Sequence, residues 1–528
     1  MLGPTRGRRI GLFSAALAAA VLAFTPAARA DPVGIAESFP TKCGVEDLAL
    51  GKEGDVWFTC LIETNYGYGS RVKFGRVAPE GQVSEFDGGF AKNLEAGKLV
   101  VAANGDLWFP LNSFFRVSQG QRRAPEIVRV TPVGEAKASP LGLDARYYVG
   151  DIVASPSGYL WFATFREEGK DPALWQISPA GEVSKLSVDL GPKAYLDLEA
   201  GPEGDLWFAR KPVSGGAPGA IVRLAPGGTP SEFGTTLPGF WPSTPVFAPG
   251  GSAWFFEGEH QTGVGRVTAA GEITDTGAKL ETGGGIVGSS TSGSDGDLWL
   301  AFQSERVGSS AIVRVSPSGQ VSQFRDCLRY SQPFFGPATL VTGANGDIWF
   351  TSIASRQLPG ISDPPSIGRV TPSGEITQIY AGVDAEARWI VPGPDGSVWF
   401  SAGTDEIQRI RPINGPINTF HVAPLRRAAA NGTATARVVV PGPGKVELKP
   451  VALLKRHHQR VALGGAAVTA TSTACGTTGL RVKPVGAALR AFRERREAIE
   501  EVAVTFTPDG GTPYTETAKL DFYAPRRR

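Results

Sequence analysis

Proton transfer near neutral pH falls to histidine more often than to other side chains, and this chain has four: His260, His421, His457 and His458. The last two follow Lys455 and Arg456 and read as a solvated basic stretch rather than a metal site. A second chemistry is recognition by flat faces and forks. Tyr147, Tyr148, Trp241 and Trp389 are aromatic residues on connecting segments, and Arg146 and Arg388 directly precede two of them. Such pairs suit sugars or anionic aromatic ligands through stacking and bidentate hydrogen bonds. Packing at the ends of strands is the competing use. Four cysteines (Cys43, Cys60, Cys327 and Cys475) have no C-x-x-C spacing, which favours disulfides over zinc in an exported chain. Cys43 and Cys60 flank one expected hairpin and are expected to pair; Cys327 and Cys475 are expected to stay free. No metal set is read.

The elements that must position these residues repeat. Gly54-Asp55-Val56-Trp57-Phe58 returns at Trp108, Trp161, Trp207, Trp254, Trp299, Trp349 and Trp399, each with a Gly three residues earlier. The spacing is near the length of one four-stranded propeller blade. The Gly marks a hairpin turn that needs positive φ. A third strand follows, with an arginine such as Arg76, Arg129 or Arg314, and a second Gly turn leads to an outer strand. A large aromatic at one position of every unit is expected between blades, not against a ligand. The segment from Ile35 to Phe39 resembles an outer strand and is expected to complete the last blade, closing the ring. Eight blades are expected, with seven as the alternative.

The phrases from Gly393 to Ser401 and from Ile367 to Thr377 resemble the repeat of the virginiamycin B lyases, over roughly residues 35–420. The resemblance implies a propeller that linearises a cyclic depsipeptide by elimination, using magnesium and a His/Glu set at one mouth. It implies the histidine eleven residues before a blade Trp and the glutamate three residues after. Eleven before each Trp stand Glu46, Gly97, Gly150, Leu196, Ser243, Gly288, Ala338 and Arg388, none a histidine. Three after, Glu257 alone matches, with His260 close behind it. These two are the candidate catalytic pair if the lyase reading holds, with magnesium as its cofactor.

The chain has 528 residues, with 68 Gly and 41 Pro dispersed through it, which suits a turn-rich all-β protein. Arg6, Arg8 and Arg9, an apolar run to Phe24 and Ala28-Arg29-Ala30 read as a secretory signal over residues 1–30, cleaved near Ala30. Residues 31–423 form the expected propeller, with 31 Lys and Arg against 43 Asp and Glu. Residues 424–528 reverse the sign, with 18 against 8, and read as a small basic β-sandwich of immunoglobulin-like type. A short helix is expected from Ala487 to Glu501.

The expected product is a secreted or extracytoplasmic monomer without a membrane span. It is read as a non-catalytic scaffold for a small molecule, a sugar or a cell-envelope polymer. The rival reading is a carbon–oxygen lyase acting on a cyclic depsipeptide or a polysaccharide. The near-zero formal net charge, +2, argues against a dedicated nucleic-acid binder. The candidate ligand-binding residues are Tyr147, Tyr148, Trp241, Arg388 and Trp389.

Overall fold

The computed structural model describes residues 32–62, 69–113, 122–166, 170–190, 196–210, 219–226, 228–234, 243, 245–257, 263–280, 286–303, 310–325, 336–353, 366–380, 382–383, 387–425, 428–453, 460–461, 467–495 and 497–524. Among them, eight antiparallel sheets of the propeller type succeed one another with the same inner-to-outer strand order. In each, the strand carrying the Trp lies second from the inner edge. The sheet ending the series takes its outer strand from the other end of the chain. Ala36–Pro40 pairs antiparallel with Glu406–Ile410, in register from Ala36 opposite Ile410 to Pro40 opposite Glu406.

The packing between sheets is one interaction repeated. The indole of one sheet enters a core cluster with the first buried strand of the next: Trp57 with Phe109, Trp108 with Phe162, Trp161 with Phe208, and Trp207 with Phe255. Trp254 meets Leu300, Trp299 meets Phe350 and Trp349 meets Phe400. Trp399 then meets Phe58 of the first sheet, so the succession closes on itself. Eight indoles repeated at one position are a packing device, as expected.

The arginine of the third strand stands directly opposite the Trp in register, as Arg129 opposite Trp108 and Arg409 opposite Trp399. Its guanidinium lies over the indole, 5.8 Å from the Trp108 centroid for Arg129 and 4.6 Å from Trp399 for Arg409. The Asp two residues before the Trp takes its hydrogen bonds: Arg129 Nε donates to Asp106 at 2.6 Å, and Arg223 and Arg314 donate to Asp205 and Asp297. Charge satisfaction and cation–π contact thus coincide at the Trp108, Trp207 and Trp299 hairpins.

Glycine in the third strand has a packing reason. Gly75, Gly265 and Gly368 stand opposite Phe58, Phe255 and Phe350, and a Cβ on Gly368 would lie 1.9 Å from the Phe350 ring.

Residues beyond Phe420 build two larger sheets and a two-stranded one, Ala452–Leu453 with Arg460–Val461. One of the larger sheets has three strands, with Ala434–Val440 between His421–Ala423 and Gly476–Val482. The other has four, ordered Val468–Ser472, Gly444–Pro450, Glu497–Pro508 and Tyr514–Tyr523. Val438, Val446, Leu480, Val504, Phe506 and Phe522 share one core. The helix is shorter than expected, Gly486–Arg495, and residues 497–501 belong to a strand. Alternate burial of Ala498, Glu500 and Val502 on the sheet outweighs the charge pairs that suggested a longer helix. Cys43 and Cys60 form a disulfide. Cys475 is also disulfide-bonded, correcting the expectation that it stays free; Cys327 lies outside the described residues.

Replacing Gly368 by Ala should force the Phe350 ring from its site and destabilise the protein by roughly 1–3 kcal/mol. A urea titration should show this as a lower midpoint with unchanged slope.

Candidate functional site

Each inner strand enters its sheet from the same end, so the residues before the Trp hairpins gather at one mouth. Five of these strands break register there: between Val45 and Asp47, Val149 and Ile152, Val287 and Ser289, Pro337 and Leu340, and Ala387 and Ile390. The residue eleven before the Trp falls inside every one of these irregularities. Bulges re-aim side chains and recur beside functional sites. The occupants are Glu46, Gly150, Gly288, Ala338 and Arg388, so the position implied for a histidine is built but filled differently.

A sixth inner strand is interrupted outright, into Leu94–Ala96 and Val100–Val101. Pro110 on the adjacent Trp strand turns its carbonyl to Gly97, which donates to it at 2.9 Å. A strand residue's N and O point the same way, and proline has no N–H to offer there. The ladder loses a bond, and Lys98 sits in the gap.

The register positions just after the bulges hold the ring together. Asp47 accepts from the amides of Leu48 at 2.8 Å and, in the next sheet, Leu99 at 2.7 Å. Asn112 exchanges two hydrogen bonds with the Val149 backbone, both at 2.9 Å. Ser289 accepts from the Leu340 amide, and Thr339 donates to the Arg388 carbonyl. The inner strands are therefore fixed by neighbours, which preorganises what the bulges present.

Two features stand out at this mouth. A cavity of about 660 Å3 opens where the ring closes, lined by Thr41 to Glu46, Leu61, Ile62, Arg388 and Gly403 to Asp405. Its charged walls balance, with Lys42 and Arg388 against Glu46 and Asp405. Trp389 follows Arg388 and is 40% exposed, whereas the repeat indoles are buried. The second feature is a set of carboxyls around Lys98. Burial pushes Glu95 up to about 7, with Glu46 adding repulsion. Burial raises Glu199 to about 7 and Asp47 to about 6, with the Lys98 charge opposing both. Asp151 adds repulsion at Asp47.

Of the residues singled out in the sequence, Arg388 lines the cavity and Trp389 stands beside it. Tyr147 and Tyr148 open another inner strand, where their rings lie under the guanidinium groups of Arg166 at 5.6 Å and Arg122 at 6.0 Å. Glu257 ends a strand opposite Gly263; its side chain, His260 and Trp241 lie outside the described residues. So do His457 and His458. Phe90 packs edge-on against Phe109 at 6.0 Å and belongs to the core.

Sequence reasoning missed Glu199, although a signal was present. It stands opposite Trp207, in the register position that other repeats fill with Ala49, Val100, Val153, Val246, Thr291, Val341 and Val391. One acid in a column of uncharged residues marks a local exception. The magnesium implied by the resemblance finds no ligand set: among the described residues, no three of His, Cys, Asp and Glu are grouped to hold a metal ion.

A carboxyl with a raised folded-state pKa binds more protons folded than unfolded between about 4.5 and 7, so it erodes stability as pH climbs through that window. Glu199→Gln should therefore raise Tm relative to the parent by about 1–3 °C at pH 8 and by less at pH 4, in paired thermal melts.

Virginiamycin B lyase from Staphylococcus aureus is 23% identical over 60% of this chain and 95% of its own, with a TM-score of 0.43. A catalytically inactive variant of that enzyme, holding quinupristin, is 19% identical over 71% of this chain and 98% of its own, with a TM-score of 0.39. A luciferin-regenerating enzyme is 15% identical over 67% of this chain and 99% of its own, with a TM-score of 0.30. No curated protein matches. Residues 119–364 match the model of the virginiamycin B lyase family.

Proposed function

We propose that this chain is an exported, monomeric carbohydrate-binding protein: an eight-bladed propeller over residues 31–423 followed by an immunoglobulin-like sandwich over residues 424–528. The observation that carries the reading is the cavity in which Arg388 and Glu46 both take part, with the exposed indole of Trp389 on the residue next to Arg388. A pyranose offers an apolar face to an indole, and its hydroxyls both donate and accept. Arg388 and Lys42 supply donors, Glu46 and Asp405 supply acceptors, and their charges cancel around a neutral sugar. Binding is favoured over elimination because the described bulges hold no imidazole to take a proton.

A second reading has one observation of its own. A carboxyl near 7 is matched to proton transfer at neutral pH, so Glu95 would serve as the base of a carbon–oxygen lyase acting on a cyclic depsipeptide or a polysaccharide.

Calorimetric titration with chitotriose separates the two. Trp389→Ala and Arg388→Ala should each weaken binding by roughly tenfold, about 1.4 kcal/mol, without lowering Tm. Quinupristin incubated with the protein and magnesium should remain cyclic. Unaltered chitotriose affinity in both variants would reject the site, and ring opening that Glu95→Gln abolishes would establish the second reading.

A further inference from the structure

The surplus positive charge of residues 424–528 is not spread evenly over the two outer sheet faces. The face of the four-stranded sheet mixes signs: Lys445, Glu447 and Lys449 lie on one strand, where Lys449 pairs with Glu447, and Glu497 and Glu501 lie on the next. The outer face of the three-stranded sheet does not. Ala434, Ala436, Val438 and Val440 turn inward to the core, which leaves Thr435 and Arg437 outward, while Val439 at the next outward position is buried. Arg437 stands between Ala423 and Gly479 in register, and Thr435 stands opposite Arg481. Lys483 continues the alternation of Gly479 and Arg481 and is exposed, as is Arg481. No Asp or Glu occupies an outward position of these three strands.

Arg437 is flanked in register by the small residues Ala423 and Gly479. Its Nε–H is buried and has no hydrogen-bond partner. An unmade hydrogen bond on a buried cationic group is costly, and an anion accepting it would remove that cost. Arg481 and Lys483 lie one two-residue strand step apart, about 6.6 Å, along the same face. The arrangement is a short row of cations with one waiting donor.

We propose that the outer face of the three-stranded sheet, through Arg437, Arg481 and Lys483, docks a linear polyanion whose charged groups are phosphates. Two guanidinium forks and an ammonium present more donors than the two oxygens of a carboxylate can take up, and a row of phosphates supplies acceptors along the whole strand direction. This surface lies in a different part of the fold from the sugar cavity.

The test uses the full chain and long-chain polyphosphate, with retention measured on an immobilised polymer at about 50 mM and about 500 mM NaCl. Retention should be strong at low salt and fall at least tenfold at high salt. The triple variant Arg437→Ala, Arg481→Ala, Lys483→Ala should lose at least about tenfold in affinity with an unchanged circular dichroism spectrum. A second triple variant, Arg490→Ala, Arg493→Ala, Arg495→Ala, removes the same charge from the helix Gly486–Arg495 and should stay within about threefold of the parent. Equal losses in the two variants would overturn the proposal, because net charge alone would then explain the binding. So would the absence of retention at low salt, the result expected if the acidic propeller occupies this face. Tighter retention on poly-glutamate than on polyphosphate would overturn the phosphate assignment.

Discussion

One contact organises the propeller: an indole from each sheet, set into the core of the next sheet and in most sheets capped by a guanidinium from its own third strand. Its apolar burial supplies attraction between sheets, and the Asp–Arg pair at its edge fixes the ring plane without leaving a charge unsatisfied. Because Trp399 completes the series against Phe58, no sheet is left with an exposed large face. Everything at the mouth depends on this closure. Glu46 and Arg388 belong to opposite ends of the propeller sequence and meet in one cavity only because the ring shuts there.

Within that frame the inner strands have unusual freedom. The Trp hairpins carry the packing, so a bulge or a break before them costs little of the core. Pro110 shows how a single residue uses this latitude: by withholding one N–H, it opens a gap for Lys98, which then opposes the upward pK shifts of Asp47 and Glu199. The mouth is thus a place where polar and charged groups are tolerated because neighbours clamp the backbone that carries them.

The parts of this molecule that repeat were readable from residues alone. Trp and Gly recur at a fixed offset, and the third-strand Arg recurs within a repeated phrase at a variable distance from the Trp. The place eleven residues before the Trp was marked by the family resemblance, and the bulge that occupies it in five strands emerged only from the register. The carboxyl set was not readable, because Asp47, Glu95, Asp151 and Glu199 come from four separate repeats and are ordinary surface residues until the ring brings them together. Glu199 was the exception, an acid in a column of five valines, an alanine and a threonine. The helix end was misread because residues 497–501 satisfy both a charge-pair pattern and a strand alternation, and burial of Ala498 and Val502 decides between them.

The strand that seals the ring, Ala36–Pro40, is the earliest described strand of the chain, and it pairs with one made some 370 residues later. Asn418 extends the seam: its side chain accepts from Val33 and donates to Thr512. A growing chain therefore holds an unmatched edge from the start and cannot retire it until nearly everything else exists. Such long-range pairing is slow. The circle defers its own completion to the last blade.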